Sequence, residues 1–204
     1  MEQTIAKSPV MLYTEQTPNP ETLKFVTNKM LYRGTADFKE AETAEEWSPL
    51  AHALYAFPYV KGVYISSNFV TITKEFTYNW TDIMLPLKEF IKNHISEDKG
   101  IVLDGYEEVQ KELQAKALEA LGYSGDSSEI VTKIKELIDA HVKPAVEMDG
   151  GNIEFKSFEN GVVTVILQGS CSGCPSSTVT LKSGIEGMLK RMIPEVTEVV
   201  AEMD

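Results

Sequence analysis

Cysteine is scarce in this chain: its 204 residues hold two, Cys171 and Cys174. Two thiols separated by two residues cannot form the multi-bridge framework of a small secreted protein. Cations are also short, with 19 Lys and Arg against 31 Asp and Glu and a formal net charge of −12. That field opposes a nucleic-acid partner and an anionic membrane surface. No apolar run approaches the roughly 20 residues of a transmembrane helix. The opening Met1-Glu2-Gln3-Thr4 has no basic n-region or apolar h-region, and no Arg-rich transit segment follows, so a cytoplasmic location is expected. No Ser–His–Asp arrangement, Walker loop or pair of catalytic carboxylates stands out, so the chain does not read as an enzyme.

What is present is ordinary globular material. The hydrophobic share of 43% supplies real cores, and the length allows two small domains. The first reads as α+β and ends near residue 97. Val10 through Thr14 is a strand candidate, and Thr17-Pro18-Asn19-Pro20 breaks it. Leu23 and Phe25 alternate with polar neighbours, as in a half-buried strand. Ser48-Pro49 starts a helix carrying Leu50, Leu54 and Phe57. Val63-Tyr64-Ile65 and Phe69 through Thr73 form a hairpin across Ser66-Ser67-Asn68. Asn79 caps a helix striped by Ile83, Leu87, Phe90 and Ile91, with Pro86 as a kink or a later start. The acidic run Glu40, Glu42, Glu45, Glu46 reads as a solvated face before a helix.

Residues 98 to 126 read as a linker, with a helix over Glu107 to Leu121 and Gly100 and Gly125 near its ends. Its thin stripe (Val109, Leu113, Leu118, Leu121) predicts loose docking on a domain. Residues 127 to 204 predict the order helix, strand, strand, helix, strand. Asp126 and Glu129 match a capping box. Ile130, Ile134, Leu137, Ile138 and His141 keep helical spacing, and Lys143-Pro144 ends the run. Ile153 and Phe155 lie on a strand, Asn160-Gly161 signals a type I′ turn, and Val162 to Leu167 returns. Pro175 opens a helix striped by Leu181, Ile185, Met188, Leu189 and Met192. Pro194 stops that helix, and Val196 to Val200 offers the last strand.

The chemistry gathers at Cys171-Ser172-Gly173-Cys174. Two thiolates supply half the four protein ligands that tetrahedral zinc or a cubane iron–sulfur cluster takes. Either the pair works alone in dithiol redox chemistry, or a second copy of the chain completes a metal site. The helix start after Pro175 favours negative charge, which predicts a lowered thiol pKa. Gly169 and Gly173 let the backbone turn beside a bulky centre, and Ser170, Ser172, Ser176 and Ser177 are small. Pro follows the second cysteine, which favours holding a ligand over attack and resolution. His52 and His94 read as surface or core residues, and His141 as a partly buried imidazole. Glu147 through Gly151 reads as a glycine-permitted turn into a strand.

Val146 through Ile153, with Leu167 through Thr178, Leu181-Lys182-Ser183-Gly184-Ile185 and Ile193-Pro194-Glu195-Val196, resembles the C-terminal NifU-type domain over residues 127 to 204. Gln16 through Phe25, Ser48-Pro49-Leu50-Ala51, Val60-Lys61-Gly62-Val63 and Phe69 through Lys74 resemble the N-terminal domain of Nfu proteins. The resemblance implies an iron–sulfur cluster carrier. Such proteins bind a [4Fe–4S] cluster between two subunits and pass it to apo-proteins. The family's ligands fall on Cys171 and Cys174. It implies a homodimer on cluster binding, with client apo-proteins and an upstream assembly scaffold as partners. The linker is longer than the family leads one to expect. Two other readings of the same thiols stand beside this one, a zinc-bridged dimeric binding module and a dithiol redox protein.

Overall fold

The computed structural model describes residues 9–120, 129–172 and 175–203. The chain is α+β, with two sheets and two separate cores.

The N-terminal half contributes β1 (Leu12–Gln16), β2 (Thr22–Thr27), β3 (Tyr32–Phe38), α1 (Ala41–Trp47), α2 (Pro49–Tyr55), β4 (Val60–Ser67), β5 (Phe69–Lys74) and α3 (Trp80–Ser96). Its sheet runs β1-β2-β5-β4-β3, antiparallel throughout. One face of this sheet and the helices bury Phe25, Phe38, Leu50, Leu54, Ile72, Leu87 and Ile91. Ser48 starts α2 as its motif predicts: its Oγ accepts the Ala51 N–H at 3.0 Å and donates to the Ile101 carbonyl. Asn79 occupies the N-cap of α3 without a side-chain cap bond, and Pro86 lies inside that helix. Three of the four clustered glutamates lie on α1 itself, exposed.

The half-buried reading of β2 needs correction. All six of its residues are buried, including Lys24 at 7% exposure. The face that alternation assigns to water is covered by the C-terminal half of the chain.

The connecting segment begins tightly seated. Ile101 and Val102 pack on the first core. Tyr106, the first residue of α4 (Tyr106–Ala120), is buried with ring centroids 5.2 Å from Phe38 and 5.9 Å from Trp47. Loose docking holds only farther along, where Leu113 is exposed. Leu121 and the Asp126 half of the capping box lie outside the described residues.

The C-terminal half comprises α5 (Glu129–His141), α6 (Lys143–Met148), β6 (Gly151–Glu159), β7 (Val162–Gly169), α7 (Pro175–Met192) and β8 (Glu198–Met203). β6 and β7 are antiparallel, and β8 joins β7 in parallel after the α7 crossover. The hairpin turn is as read: Asn160 and Gly161 have φ of 48° and 84°. Ile134, Ile138, Ile153, Val163, Val165, Leu167 and Leu189 form the second core.

Three local readings change. The run ends before Lys143-Pro144 as read, with α5 closing at His141, but the same pair also opens α6, because a first-turn Pro has no N–H to satisfy. His141 is exposed, since α5 ends there and burial passes to Val142 as the chain turns. β8 starts two residues late, because Thr197 and Glu198 first donate their N–H groups to the Gly161 carbonyl.

Candidate thiol site

β7 delivers the thiol loop. Gly169 ends the strand at φ 62°, a value only glycine adopts readily. A Cβ there would meet the Gly150 carbonyl oxygen at 2.8 Å and the Tyr64 ring at 2.9 Å. The Ser172 N–H closes a tight turn onto the Gly169 carbonyl at 3.1 Å. The opposite wall is the end of α6 and the Asp149-Gly150 turn into β6, shorter than the Glu147–Gly151 turn expected, because Glu147 and Met148 are still helical. The Ser170 N–H donates to the Gly150 carbonyl at 3.3 Å, and Ser170 Oγ donates to the Asp149 carbonyl.

Cys171 lies in this loop at 8% exposure and belongs to the second core. Its Sγ is 3.9 Å from Ser170 Oγ. Gly151 makes the close approach possible: a Cβ there would lie 2.9 Å from Sγ and 2.6 Å from the Gln168 carbonyl oxygen. Burial pushes the Cys171 thiol pKa up, the Ser170 hydrogen bond opposes that, and Asp149 adds to it. For Cys171 this is the opposite of the lowered pKa read from the helix start, and its first cause is burial, which disfavours a thiolate.

Cys174 and Gly173 lie outside the described residues, so the structure places one of the two candidate ligands. Among the described residues no group of three or more His, Cys, Asp or Glu side chains is arranged to hold a metal ion. His52 is exposed. His94 is buried, with Nε2 3.0 Å from the Gly100 carbonyl oxygen, a structural role.

The sequence reading misses the other side of the loop. The N-terminal half reaches the site through polar side chains, one of which is the Asp37 carboxylate that accepts the Gly169 N–H at 3.5 Å. Asn19, 3% exposed, donates Nδ2–H to the Ser170 carbonyl at 3.3 Å and to the Ser172 carbonyl at 3.4 Å. Thr71 Oγ1 donates to the Gly150 carbonyl at 2.8 Å. Lys24 Nζ donates to the Met148 carbonyl at 3.0 Å and the Glu147 carbonyl at 3.3 Å. Lys24 also pairs with Glu15 at 3.3 Å and lies 4.4 Å from the Phe69 ring centroid. The available signal is Thr17-Pro18-Asn19-Pro20, which by composition alone reads only as a strand breaker.

Two family models match this chain. Residues 12–98 match the family described as scaffold protein Nfu/NifU N terminal, and residues 134–200 match the NifU-like domain. The chain is 41% identical over 199 residues to NifU-like protein 4, mitochondrial, of Arabidopsis thaliana, covering 96% of this chain and 67% of that protein. It is 39% identical over 206 residues to the NFU1 iron-sulfur cluster scaffold homolog, mitochondrial, of Drosophila persimilis, covering 100% and 69%. A NifU-like protein of Saccharomyces cerevisiae, solved in solution, aligns with TM-score 0.45 and 21% identity over 51% of this chain and 93% of that one, too slight a likeness to carry argument.

One expectation falls here. These relatives are named as mitochondrial, which overturns the cytoplasmic location read from the opening residues. With both parts of the chain matched in order and about 40% identity across nearly all of it, the chain belongs to the Nfu family of NifU-like proteins.

Proposed function

We propose that this chain is an iron–sulfur cluster scaffold and carrier. Two copies pool Cys171 and Cys174 to hold one [4Fe–4S] cluster, which then passes to client apo-proteins. The cluster is cargo. Its transfer is ligand exchange, in which client thiolates displace these four, so the protein turns over no substrate as an enzyme does. The domains of this reading are 1–97, a linker 98–126, and 127–204.

The observation that carries the proposal is the seating of Cys171 in a tight turn between β7 and the start of α7. Gly151 approaches its Sγ closely and Ser170 Oγ lies 3.9 Å from it, in a chain whose relatives include proteins named iron-sulfur cluster scaffold. The ligand count supplies the dimer, since one chain has two thiols and a cubane takes four protein ligands. The N-terminal half holds no cysteine, so it serves recognition or control.

Anaerobic reconstitution with iron and sulfide tests this, read by Mössbauer spectroscopy and mass in solution. The expected product is a cluster-bearing dimer, abolished by Cys171→Ala or Cys174→Ala. A monomer that keeps a full cluster would overturn the shared site. A colourless product holding zinc and no sulfide would favour the zinc-bridged module, and a reversible Cys171–Cys174 disulfide with reductase-coupled turnover the redox protein.

A further inference from the structure

We propose that Asn19 is a positioning residue that latches the thiol loop in its closed form, so that the N-terminal half controls when Cys171 becomes available; its bearing on cluster transfer rests on the carrier reading above. The amide orientation is fixed independently of the loop. Asn19 Oδ1 accepts the Glu21 N–H at 3.0 Å, which leaves the NH2 end facing two carbonyls that can only accept. Those carbonyls, of Ser170 and Ser172, flank Cys171 on both sides. One side chain therefore pins both ends of the peptide segment that carries the thiol.

The anchor is itself rigid. The Thr17 hydroxyl contacts the Asn19 N–H at 3.2 Å, and the Thr22 N–H closes a turn onto the Asn19 carbonyl at 3.0 Å. Thr71 and Lys24 hold the facing wall, Glu147–Gly150, from the same sheet. The loop also has room to move. A cavity of about 220 Å³, lined by residues including Asn19, Asp37, Gly169 and Ser172, lies beside it. With the latch closed, Cys171 stays within the second core. A thiol that must meet metal shared with another chain has to leave that core, and the carbonyls on either side of it must then leave Asn19.

Asn19→Asp separates the latch from the fold. Aspartate keeps the acceptor for Glu21 and suits the same turn, but it loses both donors and sets a carboxylate against two carbonyls. In a Cys174→Ser background Cys171 is the sole cysteine, and its alkylation rate in the metal-free protein reads loop opening without any cluster. The expected result is alkylation about five- to tenfold faster than in the parent, on the ordinary worth of buried hydrogen bonds, in a protein that still unfolds in one cooperative transition. An unchanged rate in a folded protein overturns the latch. Should Asn19→Asp fail to fold, Asn19→Ser decides by the same fork. Its hydroxyl suits the same turn but brings no amide donors to the Ser170 and Ser172 carbonyls, and a rise of at least about threefold is expected. If alkylation rises while the unaltered protein takes up no iron and sulfide, the latch stands and the carrier reading falls.

Discussion

Gly151→Ala probes how tightly the thiol is seated. The new methyl would lie 2.6 Å from the Gln168 carbonyl oxygen, 2.9 Å from Cys171 Sγ and 3.2 Å from the Cys171 amide nitrogen. Carbon contacts are comfortable from about 3.5 Å, so the first two overlaps are roughly 0.9 and 0.6 Å. Neither neighbour yields easily. Gln168 sits in the β6–β7 ladder opposite Asn152, and Cys171 packs in the second core. Overpacking of this kind destabilises by about 1–3 kcal/mol, and a loss of about 2 kcal/mol lowers a urea midpoint by about 1 M. The probe must be chosen with care. Both tryptophans, Trp47 and Trp80, lie in the N-terminal half, so their fluorescence follows the wrong core. Amide exchange in β6 and β7 reads the right one. The expected result is reduced protection there, a lowered midpoint by circular dichroism, and a cluster lost more readily to a chelator. A variant within about 0.5 kcal/mol of the parent, with full cluster retention, would refute the close approach of Gly151 to the thiol.

Two further outcomes are expected. Gly184 and Gly187 lie in α7, where a Cβ added at either would meet nothing within 4 Å, so Gly184→Ala should stabilise the C-terminal half by up to about 1 kcal/mol, read as a raised urea midpoint. Burial holds the Cys171 thiol pKa above the ordinary value of about 8.5, so the folded metal-free protein keeps that proton longer than the unfolded chain. That stabilisation is complete below about pH 8.5 and is lost as pH rises through the folded value. Unfolding midpoints between pH 7 and 10 should fall in the parent and fall less in Cys171→Ala; an identical slope in both would contradict the burial.

Elements governed by local chemistry are legible in the sequence. Asn160-Gly161 announces its turn because few other pairs tolerate two positive φ values, and Ser48-Pro49 announces a helix because cap and first turn are adjacent residues. β3 escapes such a reading because Tyr32-Arg33-Gly34-Thr35-Ala36-Asp37-Phe38 has no clean alternation; it is a strand because β4 supplies its partners, across a register shift between Tyr32 and Thr35. The cysteine pair is legible as chemistry, but its burial is not. The Cys171 thiol pKa is raised first by burial, which depends on residues distant in sequence that pack around it. Asn19 lies about 150 residues from its partner in the loop and Thr71 about 80 from its partner Gly150 in the facing wall, and no spacing rule reports contacts of that kind.

The contrast between the two cores and the seam between the halves has a practical meaning. Each core is greasy and would resist parting in water. Across the seam, the side chains of Asn19, Lys24 and Thr71 reach for carbonyls, and the apolar cluster on that face of the sheet is just Val26, Tyr64 and Phe69. Solvent can take the place of each of those polar partners with little loss. Weakening the seam therefore takes the loss of a few hydrogen bonds, whereas weakening either half takes the opening of a core.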